Sequence, residues 1–162
     1  MSELLPPDIL TTLQERAAAS AHPRELVVDV LRAIQQQHGW VPDAGIALTA
    51  QILGILEIEV EEVATFYDKI YRRPVGKKVI HVCDSICCWL DGGEALLAAL
   101  QQKLGIAPGE TTKDGVFTLL PTCCLGACGD TPAMMIGLTT YGRVTAERLD
   151  EIFETERRSV QP

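Results

Sequence analysis

The chain lacks the signatures of most function classes. No stretch approaches eighteen uninterrupted apolar residues, so no membrane-spanning helix is expected. The opening residues, MSELLPPD, are acidic and proline-bearing, which fits neither a secretory signal nor an arginine-rich transit peptide. Basic residues are in the minority: the formal net charge is −8 over 162 residues, and no cationic face with interleaved aromatics occurs. That balance argues against nucleic acid or an anionic membrane as the main partner. No Gly-x-Gly-x-x-Gly follows a strand pattern, no glycine-rich loop carries a phosphate-binding lysine, and no Ser/His/Asp arrangement stands out. The chain is therefore expected to bind neither NADH nor flavin itself, and no residue is assigned a catalytic role.

What is present is a globular composition, 47% hydrophobic and 22% charged, in a length that suits one ordinary domain or two small ones. Its 6 cysteines come without a signal peptide, which points to a reducing, cytoplasmic compartment. Thiols there serve metals or redox chemistry rather than stapling a fold.

The first 74 residues read as helices joined by short polar links. Pro7 to Ala19 is weakly amphipathic. Pro23 to Gln37 carries Leu26, Val27, Val30, Leu31 and Ile34 as one apolar stripe, with Pro23 suited to the first turn and Gly39 to a C-cap. Asp43 is expected to cap a helix from Ala44 to about Leu56, and Glu59 to Tyr71 forms a fourth, with Val60, Val63, Ala64, Tyr67 and Ile70 on one side. A helical bundle over 1–74 follows, bounded by Arg72-Arg73-Pro74-Val75-Gly76. From 75 to 162 the pattern changes. Lys78 to Val82 reads as a buried strand, Gly92 to Leu104 as a helix, Val116 to Thr122, Ala133 to Leu138 and Tyr141 to Val144 as strands, and Thr145 caps a last helix through about Arg157. The order β–α–β, hairpin, α predicts a parallel first pair joined by a right-handed crossover, the C-terminal half of a thioredoxin-like α/β fold. The fold class is thus α+β in two parts.

All 6 cysteines lie in two short segments that leave strand ends, Cys83, Cys87 and Cys88 in the first, Cys123, Cys124 and Cys128 in the second. Four thiolates from two loops are what a [2Fe–2S] cluster needs. Spacing allows Cys83 with Cys87 or Cys88, and Cys128 with Cys123 or Cys124, and does not choose. Structural zinc also takes four cysteines, but usually as tighter pairs. A dithiol oxidoreductase wants Cys-x-x-Cys, and no such pair exists here. Packing as small buried hydrophobes could explain one or two cysteines, not the clustering. His81, two residues before Cys83, could face the same side as a ligand, although six thiols make that unnecessary. Trp89 reads equally as a lid, an interface anchor or plain packing. Met134 and Met135 read as core, and Pro132 as the turn into the third strand.

Cys-Asp-Ser-Ile-Cys-Cys at 83–88, Thr-Thr-Lys-Asp-Gly-Val-Phe-Thr-Leu-Leu-Pro-Thr-Cys-Cys-Leu-Gly-Ala-Cys at 111–128, Pro-Ala-Met-Met-Ile at 132–136 and Val-Ala-Thr-Phe-Tyr at 63–67 resemble the thioredoxin-like ferredoxin subunit of bacterial NADH:quinone oxidoreductase (respiratory complex I). The resemblance implies a helical bundle followed by a thioredoxin-like [2Fe–2S] ferredoxin domain. It places the cluster ligands at Cys83, Cys88, Cys124 and Cys128, leaving Cys87 and Cys123 as neighbours able to pair under oxidation. Ser85, Gly126, Ala127 and Gly129 are then expected to approach the cluster through backbone, where N–H groups aimed at sulfur raise its potential. The implied partners are the NADH- and FMN-binding subunit of complex I and other peripheral-arm subunits, with NADH and FMN on the partner only. The implied location is cytoplasmic, peripheral to the inner membrane through the complex. NADH delivers a hydride and a [2Fe–2S] centre accepts one electron, so the flavin must divide the pair. The homologous diaphorase subunit of an NAD-linked hydrogenase or formate dehydrogenase would share these residues.

Overall fold

A computed structural model describes residues 4–159, and the chain divides into two compact units between Pro74 and Val75. The first unit holds α1 (Pro7–Ala19), a 3-10 turn (Pro23–Leu26), α2 (Val27–His38), α3 (Asp43–Leu53) and α4 (Glu57–Phe66). In α2 the buried residues are Val27, Val30, Leu31 and Ile34, an apolar stripe at helical spacing. Gly39 closes it at φ 79°, its N–H bonded to the Gln35 carbonyl at 2.7 Å, a left-handed cap that glycine takes without a Cβ clash. α3 is buried almost all round, through Ile46, Leu48, Thr49, Ala50 and Leu53, as the central helix of a bundle must be.

Three sequence expectations shift here. Asp43 is the first residue of α3 and not its cap; its carboxylate pairs with Arg72 at 2.8 Å. α3 stops at Gly54, which is left-handed at φ 67°. α4 ends at Phe66, short of Tyr71, because the following backbone has other partners. Gln35 reaches across to the Lys69 carbonyl and the Tyr71 N–H, and Val41 N–H bonds the Tyr71 carbonyl. The Arg72 guanidinium completes this joint by binding Glu61, Asp43 and the Val41 carbonyl.

The second unit is a mixed sheet of order β2-β1-β3-β4, built from β1 (Lys78–Cys83), β2 (Phe117–Thr122), β3 (Met134–Ile136) and β4 (Thr139–Tyr141). Its helices are α5 (Ile86–Leu90), α6 (Gly93–Leu104) and α7 (Leu149–Arg158). β1 lies between β2 and β3 and is buried from Val79 to Cys83, which explains its continuous β-branched run. It pairs in parallel with β2, Lys78 against Phe117 through Cys83 against Thr122, and antiparallel with β3. The core joins Ile80, Val82, Phe117 and Leu119 of the sheet to Leu96 and Leu100 of α6 and Leu149, Ile152 and Phe153 of α7. Met134 is fully buried in it, so that methionine is core.

α5 was not anticipated, the third strand is Met134–Ile136 and not Ala133 to Leu138, and two further boundaries move. The fourth strand is Thr139–Tyr141, since Gly137 at φ 60° opens a two-residue turn that sets Ile136 against Thr139. Residues expected to extend it pair elsewhere: Arg143 N–H bonds the Asp130 carbonyl at 2.8 Å and Val144 N–H the Pro132 carbonyl at 3.1 Å. Thr145 starts a turn, its carbonyl accepting the Arg148 N–H, and α7 begins at Leu149 with Asp150 and Glu151 in its first turn.

Candidate metal centre

Parallel pairing is what brings the two cysteine segments together. β1 and β2 are adjacent and run the same way, so both chains leave the sheet at one edge, where Cys83 is registered against Thr122. Ligand sites gather at such carboxyl ends of parallel strands. Cys83 N–H bonds the Ala133 carbonyl at 3.1 Å and Asp84 N–H bonds the Thr122 carbonyl at 3.0 Å, so both loops are tied at their roots. A further bond ties their far parts, Thr131 Oγ1 to Asp91 Oδ2 at 2.6 Å. The Thr131–Pro132 peptide is cis.

All six thiols are free. Cys83 and Cys88 are buried and pack with Ala133 under Leu125 and Ala127. Cys124 and Cys128 are exposed, with sulfurs 3.5 Å apart. Two thiolates on one tetrahedral metal, with metal–sulfur bonds of about 2.3 Å, lie about 3.7 Å apart, so this pair already has the separation of a shared metal. The Cys83 thiol is close enough to act on those of Cys88 and Cys124, and the Cys87 thiol on that of Cys128. Cys83 and Cys88 thus form a buried pair and Cys124 and Cys128 an exposed one, with Cys87 beside Cys128.

Each environment acts on its thiol differently. Burial pushes Cys88 up, aided by the neighbouring Cys83 thiol. The Gly126 N–H, 3.4 Å from Cys124 sulfur, holds that thiol below its ordinary value, helped by Cys128. Cys128 is pushed up to about 11 by Cys124 first and then by Cys87. The Gly126 N–H thus favours the thiolate form of Cys124, the form that binds metal.

Of the residues expected to touch a cluster through backbone, Gly126 does aim its N–H at a cysteine sulfur, at φ 76°, where a side chain would strain the turn. Ala127 packs against the buried thiols. Ser85 sits at the start of α5, its carbonyl accepting the Trp89 N–H at 2.9 Å, and Gly129 has open space where a Cβ would be. His81 is buried on β1. Sequence reasoning missed the supports: Ala133 under the thiols, Gly93 against the Cys88 backbone, and Gly142 against Asp130. The adjacent glycines after the first segment were the only signal for one of them.

Among the described residues no three His, Cys, Asp or Glu side chains converge on one point. The thiols are arranged pairwise, and a [2Fe–2S] cluster takes its four thiolates two to an iron. The donor set fits such a group. A model of the thioredoxin-like [2Fe-2S] ferredoxin family matches residues 13–157. The chain belongs to this family. The NADH-quinone oxidoreductase of Escherichia coli strain K12 has a subunit, lettered E, that is 50% identical over 132 residues, 82% of this chain and 80% of that protein. Its counterpart in Pseudomonas aeruginosa is 46% identical over the same shares of the two chains. Among solved structures, an NAD+-reducing [NiFe]-hydrogenase in its H2-reduced state superposes with TM-score 0.66 at 25% identity, covering 80% of this chain and 22% of that one. As a thioredoxin-like ferredoxin the chain has a [2Fe–2S] cluster as its cofactor, and an α+β fold with helices ahead of the sheet.

Proposed function

We propose that the chain is the electron-transferring ferredoxin subunit of a bacterial NADH:quinone oxidoreductase, with one [2Fe–2S] cluster held by Cys83, Cys88, Cys124 and Cys128. The observation that carries the site is the gathering of thiols at the shared end of β1 and β2, with the Cys124 and Cys128 sulfurs 3.5 Å apart and Cys83 and Cys88 buried together. Cys124 and Cys128 form one ligand pair, and the two buried thiols form the other. Cys87 and Cys123 belong to neither pair and are left as neighbours. Bound there, the cluster supplies one-electron chemistry. The protein's residues hold four thiolates, direct the Gly126 N–H at one of them, and cover the buried pair with Ala133, Leu125 and Ala127.

The relatives supply the setting, since they are named as subunits of NADH-quinone oxidoreductase. In that setting the partner is the NADH- and FMN-binding subunit, with other peripheral-arm subunits beyond it, and the chain is held at the cytoplasmic face of the inner membrane through the complex. No helix among the described residues is long and apolar enough to cross a membrane. The two units are read as two domains, a helical bundle over 1–74 and a cluster domain over 75–162. A diaphorase subunit of a hydrogenase is the second reading, favoured by the likeness to the NAD+-reducing enzyme.

The test mixes purified holoprotein with the FMN-binding partner protein of the same genome and adds NADH anaerobically. Visible absorbance of the oxidised cluster is expected to bleach with the partner present and to stay unchanged without it. Bleaching by NADH alone, or none with the partner, contradicts the proposal. Loss of hydrogen-dependent NAD+ reduction on gene deletion, with NADH-dependent quinone reduction by membranes intact, selects the second reading.

A further inference from the structure

α5 turns Cys88 inward and leaves its other side bare. Ile86, Trp89 and Leu90 are 63%, 51% and 71% exposed, and they are neighbours on one short helix. Scattered apolar residues on a surface need no explanation, but three on a single turn form a patch. Beside Trp89 a cavity of about 190 Å³ opens, walled by Cys83, Leu97 and Pro121 and edged by Asp84 and Glu94. Neither of these carboxylates has a hydrogen bond or ion pair among the described residues. Glu94 does sit favourably in the first turn of α6, which accounts for its helix position and not for its place at the cavity rim.

We propose that this face docks a partner that presents a lysine or arginine within an apolar rim, with the cation seated against Trp89 between Asp84 and Glu94. Charge selects this occupant. Between Lys78 and Lys103, and again between Lys113 and Arg143, the chain has no lysine or arginine. Both cysteine segments and α5 lie within those stretches. A second copy would bring the same acidic face, and anionic lipid or nucleic acid would be repelled in the same way. The cavity is also smaller than the roughly 300 Å³ at which small-molecule pockets begin, so a side chain suits it better than a free ligand. An indole beside two carboxylates attracts a cation by its ring face and by charge together. Because Cys83 forms one wall, a partner seated here stands next to the proposed cluster. The inference rests on the proposed function only for the identity of the partner.

The experiment measures binding of full-length holoprotein to the FMN-binding partner protein of the same genome, with iron content and the reduced EPR signal recorded for every variant. Glu94→Lys and Leu90→Asp are expected to weaken binding by about tenfold or more at low salt. Glu151→Lys, which makes the same charge change on α7, is expected to weaken it by less than about twofold. Wild-type binding should also fall between about 20 and about 300 mM salt, and fall less steeply in Glu94→Lys. If both face variants bind like Glu151→Lys while their iron content and EPR signal are intact, the docking face is wrong and the proposed function stands. If wild-type holoprotein does not bind that protein at all, the partner assignment falls and the inference falls with it.

Discussion

Gly93 shows how closely the site depends on single residues that carry no chemistry. A Cβ there would lie 2.7 Å from the Cys88 carbonyl oxygen and 3.0 Å from its carbonyl carbon, both backbone atoms that cannot swing aside. Gly93→Ala is therefore expected to push α6 away from α5, at the cost of about 1–3 kcal/mol typical of overpacked sites, and to lower iron content. Gly129→Ala, with nothing within 4 Å of the added carbon, should leave iron content unchanged. Equal iron content in the two variants would contradict the account. Sequence alone places Gly93 only in the first turn of a helix expected from Gly92, because its contact depends on a neighbouring element that sequence does not reveal. The cysteines show a similar limit. Spacing admits Cys87 as readily as Cys88, and what separates them is burial, the outcome of α5 turning one sulfur inward toward Cys83 and the other outward.

At the scale of elements, the legible parts are those with a long period. The stripe of Val27, Val30, Leu31 and Ile34 and the β-branched run of β1 each follow from side-chain patterning. α5 spans five residues, too few for a helical period to register, and residues 142–144 read as strand only because Tyr141 and Val144 are strand formers. Their backbone instead bonds the second cysteine loop at Asp130 and Pro132, a tertiary partner that no local pattern announces. A comparable tie joins α7 to the turn before β2. The Asp114 carboxylate accepts bonds from the Thr112 hydroxyl, the Arg157 guanidinium and the Val116 N–H, which together hold it at about 2. An unfolded aspartate titrates near about 3.9, so the folded form favours the carboxylate. Its contribution is present above that value and is lost as pH falls toward about 2. Chemical denaturation of wild type and Asp114→Asn should show a stability gap at about pH 6 that narrows toward about pH 2. A gap independent of pH would show that the carboxylate charge plays no part in the tie.

Across the whole molecule the decisive feature is topological. A crossover from β1 to a parallel β2 sets both cysteine loops at one sheet edge, and that order was legible because strand, helix and strand patterns follow one another from Lys78 to Thr122. The helical unit was legible as helices, but its joints were not, since they are made by Gln35 and Arg72 reaching to distant backbone. Neither unit has a substrate cleft signature in its sequence, so the chemistry rests on the thiols. The central claim is that four of them hold a [2Fe–2S] cluster. The direct measurement is iron, zinc and sulfide content with EPR of the dithionite-reduced, anaerobically purified chain, repeated for each Cys→Ser variant. About two irons and two sulfides per chain with a rhombic spin-half signal are expected in wild type, Cys87→Ser and Cys123→Ser, and loss or alteration of that signal in the variants at positions 83, 88, 124 and 128. Zinc without sulfide in the wild type, or loss of the cluster from Cys87→Ser or Cys123→Ser, would contradict it.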